Sequence, residues 1–219
     1  MNGGDPETRR RILEATWRLM ETGPGRGVRM QDIAAAAEVS RQALYLHFAS
    51  RTDLLIATVQ YVDEKLGFNE QMQAVFDAPD SRTALAVFIK FWASYVPQIH
   101  GVAGALLAAR ASDQAAATAW RNRMEGLRRI CGWLVDRLAR EGQLASEWLP
   151  AKAADMLWAL ISVQLWVGLT VERGWTSEAY ATHLSRVARR ALLAEESHNG
   201  GLSYPAAEGE PCGREPEDG

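Results

Sequence analysis

Apolar residues recur at spacings of three and four along almost the whole chain, whereas alternating runs of β-branched residues are nearly absent. This period matches the 3.6 residues of a helical turn, so it predicts helices that each bury one face. The sequence therefore predicts an all-α protein. A length of 219 residues leaves room for a small N-terminal module and a larger second domain.

Capping residues and helix breakers divide this pattern into separate predicted helices. Asp5 before Pro6 is a favourable start, because aspartate caps a helix and proline fits its first turn. Gly23, Pro24, Gly25 and Gly27 predict a loop, and Pro97 with Gly101 predicts a break between two helices. The predicted helices cover residues 6–21, 30–37, 41–48, 50–66, 81–96, 102–111, 113–141, 150–173 and 177–194.

The segment from Asp32 to Phe48 is the most informative stretch of the chain. Two short helices joined only by the Glu38–Val39 connection must cross steeply, which is the helix-turn-helix arrangement. Ser40 and Ser50 stand where they would cap the next two helices. The outward side chains can contact base edges and phosphates, although each alone would be ordinary surface; they are Arg41, Gln42, Tyr45 and His47.

Several blocks in this region resemble the TetR/AcrR family of one-component repressors. They are residues 8–15, 31–34, 39–40, 44–48 and 50–55, so the resemblance covers roughly residues 8 to 60. It implies an obligate homodimer with a DNA-binding domain at residues 1–55, a ligand-binding and dimerisation domain at residues 56–196, and a small-molecule effector. It also implies that Arg41, Gln42, Tyr45 and His47 face the major groove or its flanking phosphates, and that the DNA backbone is held by Arg29, Gln31 and Arg51.

Some residues depart from the family pattern. Glu38 occupies the turn position where glycine is usual, so a strained, positive φ is expected there at a cost of about 1 kcal/mol. Arg29 stands where a serine or threonine commonly caps the second helix. Met20 and Pro24 replace the usual aromatic residues. These departures affect packing and capping more than DNA reading.

The net charge of −3 is unevenly distributed. Residues 195–219 carry seven acids against one arginine, which leaves +3 for residues 1–194. The first 55 residues hold eight arginines and seven acids, so phosphate binding would depend on placement and not on bulk charge. Residues 197–219 are rich in Gly, Pro and Glu and are predicted to be a disordered acidic tail.

The middle helices carry aromatic residues beside isolated polar ones, which suits a pocket for a flat or hydrophobic ligand. Taken individually, each of these residues is more often plain core, so the pocket is predicted for the region and not residue by residue. His100 could instead be a solvated loop histidine, and Arg110 could pair with Asp113. The candidate ligand-binding residues are Trp92, Tyr95, His100, Arg110, Trp120, Met124, Trp158 and Gln164.

The helices after Pro150 are apolar on more than one face, more than a single chain could bury. This surplus predicts a homodimer through the last two helices. Two recognition helices would then reach half-sites about 34–36 Å apart on a palindrome.

Other classes of protein fit the sequence less well. The histidines are dispersed, and no nucleophile motif, carboxylate pair, metal-ligand spacing or phosphate loop is present, so neither an enzyme nor a metal or other cofactor is expected. No membrane span or secretory signal is recognised, which favours a cytoplasmic protein. Cys131 and Cys212 are expected to be idle thiols. The alternatives left open are an activator, and a dimeric ligand-binding protein that has lost DNA affinity.

Overall fold

The computed structural model describes residues 5–22 and 28–195. Within these ranges the chain is all-α, as the sequence predicts, and contains no strand. The predicted loop at residues 23–27 and the predicted tail at residues 197–219 lie outside the described residues. The helices are α1 (Pro6–Thr22), α2 (Met30–Ala36), α3 (Arg41–His47), α4 (Arg51–Lys65), α5 (Phe68–Phe76), α6 (Ser81–Ala109), α7 (Gln114–Arg140), α8 (Pro150–Leu160), α9 (Val163–Trp166), a π-helix (Val167–Glu172) and α10 (Ser177–Leu192).

The predicted caps are confirmed in the N-terminal helices. Asp5 accepts a hydrogen bond from the backbone N–H of Thr8 at 3.0 Å. Ser40 Oγ accepts from Ala43 N at 3.0 Å, and Ser50 Oγ accepts from Asp53 N at 3.1 Å. These bonds satisfy amides that have no partner inside the helix, so local sequence alone sets where α1, α3 and α4 begin.

Helix α5 is absent from the sequence-based prediction. Its buried residues Phe68, Met72 and Val75 have helical spacing. It begins after Gly67, whose φ is 67° and which provides no side-chain cap, so the usual start signal is missing. The expected linker between residues 66 and 81 is therefore partly a helix.

The predicted break at Pro97 and Gly101 is wrong, because helix α6 continues through both residues. Pro97 removes one helical hydrogen bond, at a cost of about 3 kcal/mol in a helix interior. The buried face nevertheless continues from Val96 through Ile99 to Val102. Gln98 Nε2 also donates to the carbonyl oxygen of Ser94 at 3.0 Å. Tertiary packing therefore outweighs the local breaker.

The predicted helix over residues 150–173 is also wrong, because it is three segments. Helix α8 ends at Leu160, and Ser162 then caps α9 by accepting from Leu165 N at 3.2 Å. Residues from Val167 onward form a π-helix. Apolar periodicity runs through this region without interruption, so it does not reveal the break.

Helix α6 lies at the centre of the larger half and contacts α1, α5, α7, α9 and α10. Helix α4 contacts α1 on one side and α7 on the other, and so joins the two halves. No single described helix is long and apolar enough to cross a membrane. Only the bent pair Pro150–Leu160 and Val163–Glu172, at 42°, meets the length and composition criteria when joined.

A single chain buries more of the apolar side chains in its last helices than the sequence predicts. The apolar residues Leu157, Ile161, Val163, Trp166, Leu184, Ala188 and Leu192 are all buried without a partner. The exposed apolar surplus of this region is therefore smaller than expected. It comprises Met156, Val171, Trp175 and Val187.

Candidate functional sites in the two halves

Helices α2 and α3 are joined by a tight turn at Glu38. Its φ of 52° makes it the sole non-glycine residue of the described chain in the left-handed region, as the sequence predicts. Its N–H donates to Ala35 O at 3.2 Å, and the N–H of Val39 donates to Ala34 O at 2.9 Å. These bonds close the end of α2 and redirect the chain into α3.

The outer face of α3 is open to solvent. Arg41 and Gln42 are exposed, Tyr45 is 46% exposed, and His47 is half-buried. Leu46, which the sequence analysis did not single out, is 77% exposed. Arg29 and Gln31 are exposed at the start of α2, and Arg29 provides no side-chain cap. Six of the seven predicted DNA-binding side chains therefore lie at the surface of one helix pair.

Arg51 is placed differently from the other six. It forms an ion pair with Asp113, and its Nε donates to the carbonyl oxygen of Val28 at 2.6 Å. The side chain is only 23% exposed. Arg51 therefore connects α4, the segment before α2 and the N-terminus of α7, a contact that neither local pattern nor motif reveals.

A second contact between the two halves lies at Gly101. A Cβ atom at this position would be 3.2 Å from Cγ of Glu21 and 3.4 Å from its Cα. Because such distances are tighter than ordinary contact, the missing side chain allows the end of α1 to approach α6. Gly101 therefore has a packing role, and not the helix-breaking role predicted from its sequence context.

A narrow cavity of about 50 Å³ lies among α4, α6, α7, α8 and α9. Most of its wall is apolar. Six of the eight predicted ligand-binding residues line it; they are Trp92, Tyr95, Trp120, Met124, Trp158 and Gln164. Its volume is well below the roughly 300–1,000 Å³ of small-molecule sites, so a larger ligand enters only if the wall moves.

His100 and Arg110 do not line this cavity. His100 is exposed, because in the continuous helix α6 it lies on a different face from the buried Ile99. The centroid of its ring lies 4.7 Å from that of the Trp166 ring. Arg110 is also exposed, with its guanidinium 5.9 Å from the Trp120 ring. The suggested pairing of Arg110 with Asp113 is replaced by the Arg51 ion pair.

A buried polar cluster forms one part of the cavity wall. Asp63 Oδ2 lies 3.0 Å from Nη1 of Arg123, and Asp63 Oδ1 accepts a hydrogen bond from the Tyr95 hydroxyl. The Asp63 and Arg123 side chains are each 16% exposed. Burial raises the pKa of Asp63 above its usual value, although Arg123 and Tyr95 oppose that shift. Burial and the Asp63 carboxylate also raise the pKa of Tyr95, against the effect of Arg123.

Two indole N–H groups of the same wall have no acceptor within the described part of the chain. They belong to Trp92 and Trp158. Among the described residues, no group of three or more His, Cys, Asp and Glu side chains is placed to hold a metal ion. The site is therefore an apolar cavity whose wall contains one ion pair, in which the two charges balance, and two N–H donors that lack an acceptor in the described ranges.

Residues 12–58, which include α2, α3 and the start of α4, match the family model for bacterial regulatory proteins of the tetR family. Residues 12–58 therefore form a DNA-binding domain of the tetR type. Proteins of that family are bacterial regulatory proteins, so the helix-turn-helix of this chain is a DNA-binding unit. A comparison with curated protein sequences finds no match.

Solved structures share the fold of this chain over most of its length. A protein classed as a transcriptional regulator from Saccharomonospora viridis, in complex with choline, is 21% identical, with a TM-score of 0.69 over 87% of this chain and 100% of that one. A TetR-family protein from Rhodococcus sp. gives the same identity and TM-score over 86% and 100%. FadR from Bacillus subtilis, in complex with stearoyl-CoA, is 18% identical, with a TM-score of 0.67 over 83% and 98%.

Sequence reasoning missed three residues of these two sites. Leu46 stands between Tyr45 and His47, and its position in the outward arc of α3 was the available signal. Asp63 and Arg123 carry opposite charges on apolar helical faces, but only the fold brings α4 and α7 together.

Proposed function

We propose that this chain is a dimeric TetR-family repressor that a small-molecule effector releases from a palindromic operator. The observation that carries the proposal is the exposure of Gln42 and Tyr45 on the outer face of α3. A glutamine there can make paired hydrogen bonds to adenine, and a tyrosine can donate to phosphate. Arg41 beside them suits guanine or phosphate, and the exposed Leu46 suits a thymine methyl group.

The dimer would form through the last helices. Support comes from apolar side chains that stay exposed in the single chain, among them Met156 in α8 and Val187 in α10. Burying them against a second copy would present two α3 helices to two half-sites. Sedimentation of a Val187→Glu variant tests this, since a charge at the interface would shift the protein towards monomer.

Release would act through α4. Arg51 and Asp63 lie twelve residues apart in α4, and their partners Asp113 and Arg123 lie ten residues apart in α7. The two helices therefore run side by side in the same direction, with ion pairs about 15–18 Å apart. One pair belongs to the cavity and the other to the boundary with the DNA-binding half. A ligand that displaces α7 would thus shift α4 and the spacing of the two α3 helices.

Mobility-shift experiments with DNA upstream of the chain's own gene test the DNA-binding part. We expect Gln42→Ala and Arg41→Ala to weaken binding by about 10-fold or more, as loss of a base contact costs about 1–3 kcal/mol. Gln60→Ala in α4 and Lys90→Ala in α6 are matched controls, because both residues are exposed away from α3. No preference for this DNA over scrambled duplex would contradict the proposal.

The second candidate is a ligand-binding dimer without DNA affinity, and the positive φ of Glu38 is the observation that favours it. If strain in the turn prevents docking, Glu38→Gly would create DNA binding that the natural chain lacks. Transcription from a reporter fused to the same upstream DNA distinguishes a repressor from an activator.

Structural relatives of this chain bind chemically different ligands. One relative was crystallised with choline and another with stearoyl-CoA, which are a quaternary ammonium alcohol and an acyl thioester. Two such different ligands in one fold leave the choice to the cavity of each chain.

A further inference from the structure

We infer that the effector cavity selects apolar, ring-sized molecules that carry a hydrogen-bond acceptor oxygen and no positive charge. This inference rests on the proposed function, because it names the ligand class of the same cavity. The ligand class is indicated by the polar groups of the cavity wall and by the size of the cavity.

The side-chain acceptors of the wall, apart from Gln164, each already have a partner inside the protein. Asp63 provides the only carboxylate among the lining residues, and its two oxygens receive a hydrogen bond from Tyr95 and an ion pair from Arg123. Ser162 Oγ accepts from Leu165 N at 3.2 Å. A ligand that donates hydrogen bonds would therefore share an acceptor with a partner inside the protein, except at Gln164, which is exposed at the edge.

The unpaired polar groups of the wall are donors. Trp92 is 1% exposed and Trp158 is half-buried, and neither indole N–H has an acceptor in the described chain. Indole nitrogen only donates, so a carbonyl, ether or hydroxyl oxygen is its complement. Three other buried polar atoms without partners lie away from this wall, at Ser81, Trp166 and Tyr180.

Aromatic walls can also bind cations, so a cationic ligand is the alternative to a neutral one. The charge of Asp63 is neutralised by Arg123, whose guanidinium lies 4.6 Å from the Phe68 ring. A second cation would meet this guanidinium without a free carboxylate to balance it. The wall therefore disfavours a quaternary ammonium group, whatever the number of tryptophans.

The size of the ligand follows from the cavity and from the break beside it. A volume of about 50 Å³ is too small for a long chain or a fused ring system. Ile161 and Ser162, which form the interruption between α8 and α9, line the cavity together with Val163 and Gln164 at the start of α9. Small movements there can admit a single ring without disrupting α6 or α7.

The test compares three probes by isothermal titration calorimetry without DNA: acetophenone, isopropylbenzene and phenyltrimethylammonium. The first two have nearly the same shape, and only acetophenone has an acceptor. We expect Trp92→Phe with Trp158→Phe to weaken acetophenone binding by about 10- to 100-fold, with each lost hydrogen bond contributing about 3- to 10-fold. Isopropylbenzene should change by less than about 2-fold, since phenylalanine keeps an apolar ring there.

Trp158→Phe alone is the second variant, because its ring is half-buried and its replacement disturbs the core least. Trp133→Phe is the matched control, since Trp133 is half-buried like Trp158 and does not line the cavity. It should leave every affinity unchanged.

Equal weakening of acetophenone and isopropylbenzene, or no weakening of either, would overturn the inference. So would tight binding of phenyltrimethylammonium that Asp63→Asn abolishes. Either result leaves the proposed function intact if the mobility-shift experiment shows operator binding. Conversely, acetophenone selectivity in a chain that binds no DNA would support the inference and refute the repressor.

Discussion

Arg51 is joined to Asp113 across the boundary between the DNA-binding half and the larger half of the chain. Asp113 is also the N-cap of α7, since its Oδ1 accepts from Ala115 N at 3.0 Å and from Ala116 N at 3.3 Å. One carboxylate therefore both starts a wall helix of the cavity and holds the first residue of α4. Any shift at the start of α7 is felt by α4 directly.

We predict that Asp113→Asn lowers the free energy of unfolding by about 1–3 kcal/mol, the range for a hydrogen bond to a charged group. Asparagine keeps an oxygen for the cap but replaces the charged Oδ2, so mainly the ion pair is lost. Urea unfolding measures the change. Asp80→Asn is the control, because Asp80 also caps its helix, accepting from Thr83 N at 2.7 Å and from the Thr83 hydroxyl at 2.8 Å. Equal losses in both variants would show that the ion pair contributes nothing.

Gly101 and Gly104 lie in the same helix and give opposite predictions. Gly104→Ala should raise the free energy of unfolding by about 0.5–1 kcal/mol, because alanine favours helix and nothing lies within 4 Å of the added Cβ. Gly101→Ala should lose that gain, since the added Cβ meets Glu21 at 3.2 Å. Thermal unfolding of the two variants measures the difference. Similar stabilisation by both would disprove a tight contact between α1 and α6.

Glu38→Gly should stabilise the chain by about 0.5–1 kcal/mol, because glycine adopts a φ of 52° without strain. The gain is partial, since glycine also increases the entropy of the unfolded chain. Ala35→Gly, exposed in α2, is the control and should cost about 1 kcal/mol. A stability loss at both positions would show that Glu38 makes a contact that offsets its strain.

Glu141 should make stability depend on acid pH. Its pKa is lowered from 4.5 to about 2 by hydrogen bonds from Ser81 and the Arg137 side chain. A lowered pKa means that this stabilisation is complete above pH 4.5 and is lost as the pH falls towards 2. Glu141→Gln should therefore flatten the acid limb of a Tm-against-pH curve over that window. An unchanged acid limb would exclude Glu141 as a source of acid lability.

The N-terminal helices were predictable because their determinants are local. Asp5, Ser40 and Ser50 cap helices within three residues of their own position, and the turn at Glu38 is fixed by neighbouring amides. The larger half was less predictable for the opposite reason. Pro97 is a strong local breaker, and only the packing of α6 against several other helices carries the helix through it.

The residues of the two candidate sites also differ in whether local sequence or long-range contacts determine their positions. Exposure of Arg41, Gln42 and Tyr45 follows from helical periodicity in one short segment. Arg51 could not be placed from the sequence, because its partner Asp113 is 62 residues away. Six cavity residues were predicted from their composition alone, whereas His100 was misplaced along with the helix that carries it.

The interruption at Ile161 and Ser162 separates the hydrogen-bond networks of α8 and α9. We expect α9 to move on this joint when an effector enters, while α8 stays packed against α7. The narrow cavity then acquires its entrance from the protein's own motion. Opening of this joint should therefore limit the rate of effector association. The observed association rate should then level off as the effector concentration rises.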